Sequence, residues 1–332
     1  MKRLQLSQGG GGEEMDSLIR DLFYRHFSND ILLLSEDAAV LEINGKIAFT
    51  TDSYTVTPLF FNGGDIGKIA VAGTLNDLAM MGARPLYLSC AFIIEEGLSY
   101  EVLERIVLSM KDELSHSGAK IVCGDTKVVP KGSVDQLFIN TSGIGEIVLE
   151  GLSAHNIQED DIIIVSRDIG THGATILASR EGIDLESALC SDCATLWPAV
   201  EALIGENIGI RAMRDATRGG VAAVLNEWAV ASDVCIEIEE QTVEVCDEVR
   251  GICELLGMEP FEFANEGTFI LAIHPSDAKR AIEILHRFNM CANASIIGKV
   301  TRHKAKRVIL KSPWGSSRYL ERPKGELLPR IC

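Results

Sequence analysis

Apolar and polar positions alternate along this 332-residue chain with two distinct periods. Ile66, Ile69, Ala70, Leu75, Leu78 and Ala79 recur at helical spacing, and Gly82 follows as a stop. Leu103, Ile106, Val107, Met110 and Leu114 share one face of a longer helix predicted over 99–118. Short apolar runs at 85–95, 120–123 and 136–147 read as strands. Residues 39–43 and 46–51 flank Asn44-Gly45, which predicts a hairpin. Beyond residue 160 both patterns return. Strands are predicted at 161–166, 235–239, 268–274 and 295–300, and helices at 173–181, 194–204, 220–231, 247–256 and 276–288. An amphipathic helix at 13–26 follows four consecutive glycines at 9–12, which suit a floppy leader or a mobile lid over a ligand.

The polar stretch 150–160 between two apolar strands marks a domain boundary. The pattern is therefore two α/β halves that mix hairpins with helices. Strict βαβ alternation is absent, which argues against a dinucleotide-binding sheet. No GxGxxG follows a strand and no GxxxxGK[ST] occurs, so a nucleotide would be held by other means.

Charge narrows the partners. The net charge of -17 repels nucleic acid and anionic membranes. It is also uneven: residues 299–332 hold ten Lys/Arg against two acids, a net +8, leaving -25 on the rest. Such a basic end is expected either to dock on the acidic body or an acidic partner, or to stay solvated. No apolar window approaches the ~18 residues of a membrane span, and no signal-like segment follows Lys2-Arg3, so a cytoplasmic protein with mostly reduced cysteines is expected. Cys190 and Cys193 form one CxxC without the second pair that a structural zinc site needs.

Four aspartates mark candidate chemistry. Asp52 and Asp125 each end an apolar run and are expected to enter loops; Asp37 follows Ser35-Glu36; Asp77 sits with Asn76 inside an otherwise apolar helix. A charge on such a face is costly unless paired or bound to a cation. Converging carboxylates and an amide suit Mg²⁺ on a phosphate, whereas taken singly each reads as a cap or surface acid. Asp215-Ala216-Thr217-Arg218-Gly219-Gly220 opens a helix, either as an anion cradle or as a plain Asp cap with a glycine turn. Glu266, in Asn265-Glu266-Gly267, reads as a base of raised pKa or a loop acid, and Lys127 as a phosphate-side cation or a loop lysine. Cys332 ends the chain, too close to the terminus for a prenylation box. Pro313, Gly315, Pro323, Gly325 and Pro329 forbid a long helix before it, which suits an arm that swings its thiol into a cleft.

Together these residues resemble the HypE family of hydrogenase maturation proteins, within the aminoimidazole ribonucleotide synthetase (PurM-like) superfamily. The resemblance spans nearly the whole chain: Thr51-Asp52-Ser53-Tyr54, Gly64-Asp65-Ile66-Gly67-Lys68, Asn76-Asp77, Gly124-Asp125-Thr126-Lys127-Val128-Val129, 214–220, Ala264-Asn265-Glu266-Gly267 and, most specifically, the terminal Pro329-Arg330-Ile331-Cys332. It implies an α/β (α+β) fold of two domains. Residues 1–36 would form a glycine-rich lid and leading helix, 37–150 an ATP-binding domain whose mixed sheet pairs in a dimer barrel, 151–311 a C-terminal α/β domain, and 312–332 a mobile tail. The leader departs from the family, which usually reads like Ala-His-Gly-Ser-Gly-Gly, where this chain has Ser7-Gln8-Gly9-Gly10-Gly11-Gly12. A backbone lid survives that change, but a histidine side-chain role there does not.

The implied activity is ATP-dependent dehydration of a carbamoyl group on the Cys332 thiol to a thiocyanate, supplying cyanide to the iron of [NiFe]-hydrogenase. The resemblance implies Cys332, Glu266 and Lys127 as catalytic residues. ATP contacts would come from Gly10, Gly11, Gly12, Asp52, Lys68, Asn76, Asp77, Asp125, Thr141, Asp215, Thr217, Arg218 and Gly219, and Mg²⁺ ligation from Asp37, Asp52, Asp77 and Asp125. The implied partners are a second copy, the carbamoyltransferase HypF as donor and a HypC–HypD complex as cyanide acceptor. The rival readings are another ATP-using member of the superfamily, a thiamine-monophosphate kinase or selenophosphate synthetase type, or a non-enzymatic assembly scaffold.

Overall fold

Phe269–Ile273 is five apolar residues in a row, all buried. A strand sealed on both faces needs such a run rather than an alternation, and this one lies inside a seven-stranded sheet. Ile270 and Ala272 face one core with Ile163, Val165 and Trp228, while Phe269, Leu271 and Ile273 face another with Ile164, Trp197 and Leu203. The computed structural model describes residues 3–9, 13–35, 38–182, 189–324 and 330–332.

The N-terminal helix runs as α1 (Glu13–Leu18), a π-helical turn at Ile19–Tyr24 and α2 (Arg25–Phe27). Next come β1 (Ile47–Tyr54), the short ribbon β2 (Phe60–Phe61) and β3 (Gly64–Asp65), α3 (Ile66–Met80), β4 (Ala83–Glu95), α4 (Tyr100–Ser115), β5 (Lys120–Val129) and β6 (Leu137–Ile147). The order β1-β6-β4-β5 forms a mixed sheet in which β4 and β5 are parallel. The second sheet is built from β7 (Ile162–Val165), α5 (Thr171–Glu181), α6 (Trp197–Gly205), β8 (Ile210–Asp215), α7 (Gly220–Ala231), β9 (Cys235–Glu239), α8 (Asp247–Leu256), β10 (Phe269–Ile273), α9 (Ala278–Leu285), β11 (Ser295–Thr301), β12 (Arg307–Lys311) and β13 (Ser317–Tyr319). Its strand order is β13-β12-β9-β11-β7-β10-β8.

Helix α3 positions the site. Asp65 caps it, accepting from the N–H groups of Gly67 and Lys68 at 2.8 and 3.0 Å. Nearly every other residue of α3 is buried, because the helix packs against β1 and β6 on one side and α6 and β8 on the other. A helix buried all round is apolar all round. The Asn76-Asp77 exception therefore falls where the two domains meet.

Several expectations change. Residues 39–43 form no strand with 46–51: β1 pairs with β6 and is an edge of its sheet. β5 continues past 123 to Val129, so Asp125 lies within a strand, as Asp52 lies within β1. β8, β12 and β13 escaped notice because their arginines and lysines interrupt the apolar runs; β8 and β13 are sheet edges, where charged side chains reach water. Within one copy the four-stranded sheet is an open layer that exposes Ile47, Phe49 and Ile93, and the expected barrel requires a second copy.

The described residues of the expected 312–332 tail lie against the body in this conformation. Residues 317–319 pair with β12, Leu320 and Ile331 are buried, and Arg318 and Arg322 ion-pair with Glu259 and Glu227 at 2.9 Å each. The basic end docks on the acidic body. Among the described residues no helix is long and apolar enough to cross a membrane.

Candidate functional site

A cleft of about 560 Å³ opens between the two domains. β1 supplies Asp52 to its wall, α3 supplies Asp77, β8 ends on Asp215, and the turn into α7 adds Thr217 and Arg218. That turn depends on glycine. Gly219 and Gly220 have φ of +78° and +57°, and a Cβ on Gly220 would sit 2.4 Å from the Phe263 carbonyl oxygen.

The three carboxylates repel one another. Asp52 lies within hydrogen-bonding reach of Asp77 and is pushed up to about 6, first by burial and then by the Asp77 charge. Asp215 is pushed up to about 7 by burial, again with Asp77 as the largest neighbouring charge. Thr50 donates to Asp77 at 2.6 Å. Arg218 and a Tyr54 hydrogen bond oppose the rise at Asp52, and Arg214 opposes it at Asp215. Hard oxygen donors carrying excess negative charge are the donor type that Mg²⁺ takes, although among the described residues no three such side chains converge closely enough to form a ready-made metal site.

Glu266 and Cys332 sit beside this cluster. Glu266 is buried, and its Oε1 has no hydrogen-bond partner among the described residues. Burial, then Asp215, Asp192 and Asp52, raise it well above the usual carboxylate range. Cys332 is packed against the core near Ile331, and burial followed by the Glu266 charge pushes its thiol up to about 12. The terminus is tied down: the Thr55 N–H donates to the Cys332 carbonyl oxygen at 2.9 Å, and Arg330 bonds the Thr55 carbonyl and Asp135 at 2.8 and 2.7 Å. Sequence position alone cannot bring residue 332 beside residue 266; tertiary packing does.

The other expected residues are scattered. Asp125 and Lys127 form an exposed 2.7 Å ion pair on β5. Two strands separate β5 from β1, so at roughly 4.8 Å per strand step Asp125 stands some ~14 Å from Asp52. Asp125 instead lines a separate, mostly apolar cavity of about 210 Å³ beneath the N-terminal helix. Thr141 is sealed in the core, its hydroxyl given to the Ala70 carbonyl at 2.9 Å and joined to Thr74, so it offers no group to the cleft. Asn76 bonds the Ala194 carbonyl and the Leu196 N–H at 3.0 and 2.8 Å, which orients residues 194–196. Lys68 donates to the Gly63 carbonyl at 3.1 Å. Asp37, Gly10, Gly11 and Gly12 lie outside the described residues.

Sequence reasoning missed His172, Ser191 and Asp192. Asp192 is buried and accepts from the Glu266 and Gly267 N–H groups at 3.0 Å each and from the Thr268 hydroxyl at 2.7 Å, which holds the Glu266 loop. The loop tolerates no side chain at Gly267, where a Cβ would approach the Asp192 carbonyl oxygen to 1.8 Å. Gly267→Ala is expected to destabilise by about 2 kcal/mol or more, since backbone on both sides must shift; a urea titration with unchanged midpoint would contradict this packing.

The chain matches the AIR synthase related protein models over both parts, the N-terminal domain at residues 35–147 and the C-terminal domain at 158–311. It is 45% identical to the carbamoyl dehydratase HypE of Escherichia coli (strain K12), over 100% of both chains. It is similar to a crystal structure of the hydrogenase maturation protein HypE in complex with ATP, with 44% identity, a TM-score of 0.96, and 99% and 100% of the two chains covered. A HypE chain from a HypE–HypF complex aligns with a TM-score of 0.81 and 44% identity, over 92% of this chain and 100% of that one. Full-length identity at this level, with both domains matched, means that the chain belongs to the HypE carbamoyl dehydratase family.

Proposed function

We propose that this chain dehydrates a carbamoyl group carried on its own Cys332 to a thiocyanate, using ATP. The observation that carries the reading is the terminal thiol lodged beside a buried carboxylate whose Oε1 is unpartnered, next to three mutually repelling aspartates.

Oxygen is a poor leaving group from an amide and a good one once phosphorylated. The S-carbamoyl oxygen takes the γ-phosphoryl group, leaving ADP, and the nitrogen loses one proton. Loss of the second N–H proton then forms the C≡N bond as the C–O bond breaks and phosphate departs. The carbamoyl oxygen thus ends on phosphate, and the cysteine has lost one water. Glu266 accepts protons in this scheme. Its raised pKa makes the ionised form a stronger base than an ordinary carboxylate. Asp52, Asp77 and Asp215 would hold Mg²⁺, which supplies charge neutralisation on the phosphates. Thr217, Arg218 and the start of α7 face the same anions. Apolar walls from Met80, Leu152 and Trp228 limit water, which would hydrolyse the activated intermediate.

Burial pushes the docked thiol up and so disfavours the thiolate that would attack a carbamoyl donor. Cys332 therefore acquires its carbamoyl outside the pocket and returns to it. HypF is the donor in this reading, supported by the solved HypE–HypF complex, and a HypC–HypD complex takes the cyanide for the hydrogenase iron. The chain works as a homodimer, supported by the uncovered sheet face with Ile47, Phe49 and Ile93. Asp125 and Lys127 act on the phosphates from the second copy, because one copy keeps β5 two strands away from β1. Nine free cysteines suit a reducing cytoplasm.

The test is direct. S-carbamoylated protein incubated with Mg-ATP is expected to lose one water on the C-terminal peptide by mass spectrometry, with matching phosphate release. Cys332→Ala is expected to form no product while binding ATP within about twofold of wild type. An unchanged peptide mass with intact ATP would leave the chain an assembly scaffold.

A further inference from the structure

We infer that His172, Ser191 and Asp192 form one positioning unit, in which adjacent residues of the Cys190-x-x-Cys193 segment set the terminal thiol and the Glu266 carboxylate in register with each other. The inference rests on the reading of Cys332 and Glu266 as reacting partners and names the group that aligns them.

His172 is fully buried on α5. Its Nε2 lies 2.9 Å from the Ile331 carbonyl oxygen, one residue before the thiol, and its Nδ1 lies 2.8 Å from Ser191 Oγ. A carbonyl only accepts, so Nε2 carries the proton and Nδ1 accepts from the Ser191 hydroxyl. Ser191 Oγ in turn accepts the Cys193 N–H at 3.1 Å, which fixes the direction of the chain of bonds. Burial lowers the His172 pKa and so keeps the ring in this neutral tautomer. Phe61 packs edge-on against it at 5.5 Å.

The next residue, Asp192, points the other way and holds the backbone of Glu266 and Gly267. One dipeptide thus reaches the chain on both sides of the reaction: the residue before the thiol through an imidazole, and the base through its backbone N–H. The dipeptide is itself rigidly seated. The Ser191 N–H donates to the Asn62 carbonyl at 2.9 Å, and a Cβ at Gly63 would press to 2.8 Å on the Ser191 carbonyl oxygen. Two groups held by one short segment share their displacements, so their separation is set more tightly than by independent anchors. This also accounts for the CxxC without metal chemistry: Cys193 is a buried packing residue and Cys190 is exposed.

Two readouts separate alignment from general folding. The first is iodoacetamide labelling of Cys332 in ligand-free protein, resolved by mass spectrometry of the C-terminal peptide. The second is single-turnover dehydration of the S-carbamoylated chain at saturating Mg-ATP, with the ATP concentration dependence recorded. Losing the imidazole in His172→Ala is expected to speed labelling and slow dehydration, each by roughly tenfold or more, with half-saturation for ATP within about twofold. His172→Gln keeps an N–H donor and is expected to recover most of both, and Ser191→Ala to show the same changes as His172→Ala in weaker form. Asp192→Asn is expected to slow dehydration without speeding labelling. His172→Gln as impaired as His172→Ala, or Ser191→Ala identical to wild type in both assays, would overturn the inference. The labelling arm does not depend on dehydration, so a wild-type protein that protects Cys332 through His172 yet never dehydrates would refute the proposed function and leave the latch standing.

Discussion

Glu266→Gln is expected to lower the dehydration rate by about 10²–10⁴-fold while ATP half-saturation barely moves. The buried carboxylate has an oxygen without a partner among the described residues and its charge is felt at the Cys332 thiol, so the variant removes a proton acceptor and little else. The pH dependence checks the assignment. Burial and the charges of Asp215, Asp192 and Asp52 raise Glu266, so the wild-type rate should climb with pH as the carboxylate ionises, and the Gln variant should lose that limb. Stability should move the other way. A carboxyl with a raised folded-state pKa destabilises the fold progressively as pH rises from the unfolded pKa through the folded one. Glu266→Gln should therefore melt higher than wild type at pH 8, with the gap shrinking as pH falls toward 4. A variant that keeps most of its activity and the rising limb would move the base elsewhere.

The second large effect concerns Asp77. It is the largest neighbouring charge for both Asp52, at about 6, and Asp215, at about 7. Both folded values exceed the ordinary value of 3.8. In ligand-free protein, then, the stabilisation that this pair retains in acid is lost as pH rises from about 4 to about 7. Mg²⁺ should raise the melting temperature much more at pH 8 than at pH 5, because only the ionised cluster attracts it. Asp77→Asn should raise the ligand-free melting temperature at pH 8, abolish most of the Mg²⁺-dependent gain, and slow dehydration by roughly tenfold or more. The Asn oxygen can still accept from Thr50, so the fold has little reason to suffer. An Asp77→Asn protein with the wild-type Mg²⁺ response would mean that the cation is held by other groups.

The legible and illegible parts of the site divide by distance along the chain. Asp77 announced itself locally, as the one acid in an apolar helix, and nearly all the apolar residues around it in α3 are buried. Glu266 announced itself before an apolar strand, and it lies just ahead of β10. Thr141 gave no sign that Ala70 and Thr74 would claim its hydroxyl, and Asn76 none that Ala194 and Leu196 would claim its amide. His172 had no local mark at all, since its partner Ile331 is 159 residues away. The Asn44-Gly45 hairpin did not form either: β1 pairs with β6 over an eight-residue register, and residues 39–43 adopt no strand along its other edge.

By itself the sequence determined the alternation of helices and strands, the absence of a phosphate-binding glycine loop, the family, and the terminal thiol, because each is written in neighbouring residues or in the order of motifs. Only the tertiary structure decided that Asp215 completes the cluster of Asp52 and Asp77, that Asp125 stands across the sheet from it, and that Cys332 rests beside Glu266. The reason is that strand order and domain packing choose which distant segments meet. Those choices come from burying apolar faces collectively, a sum over the whole chain that no local stretch records.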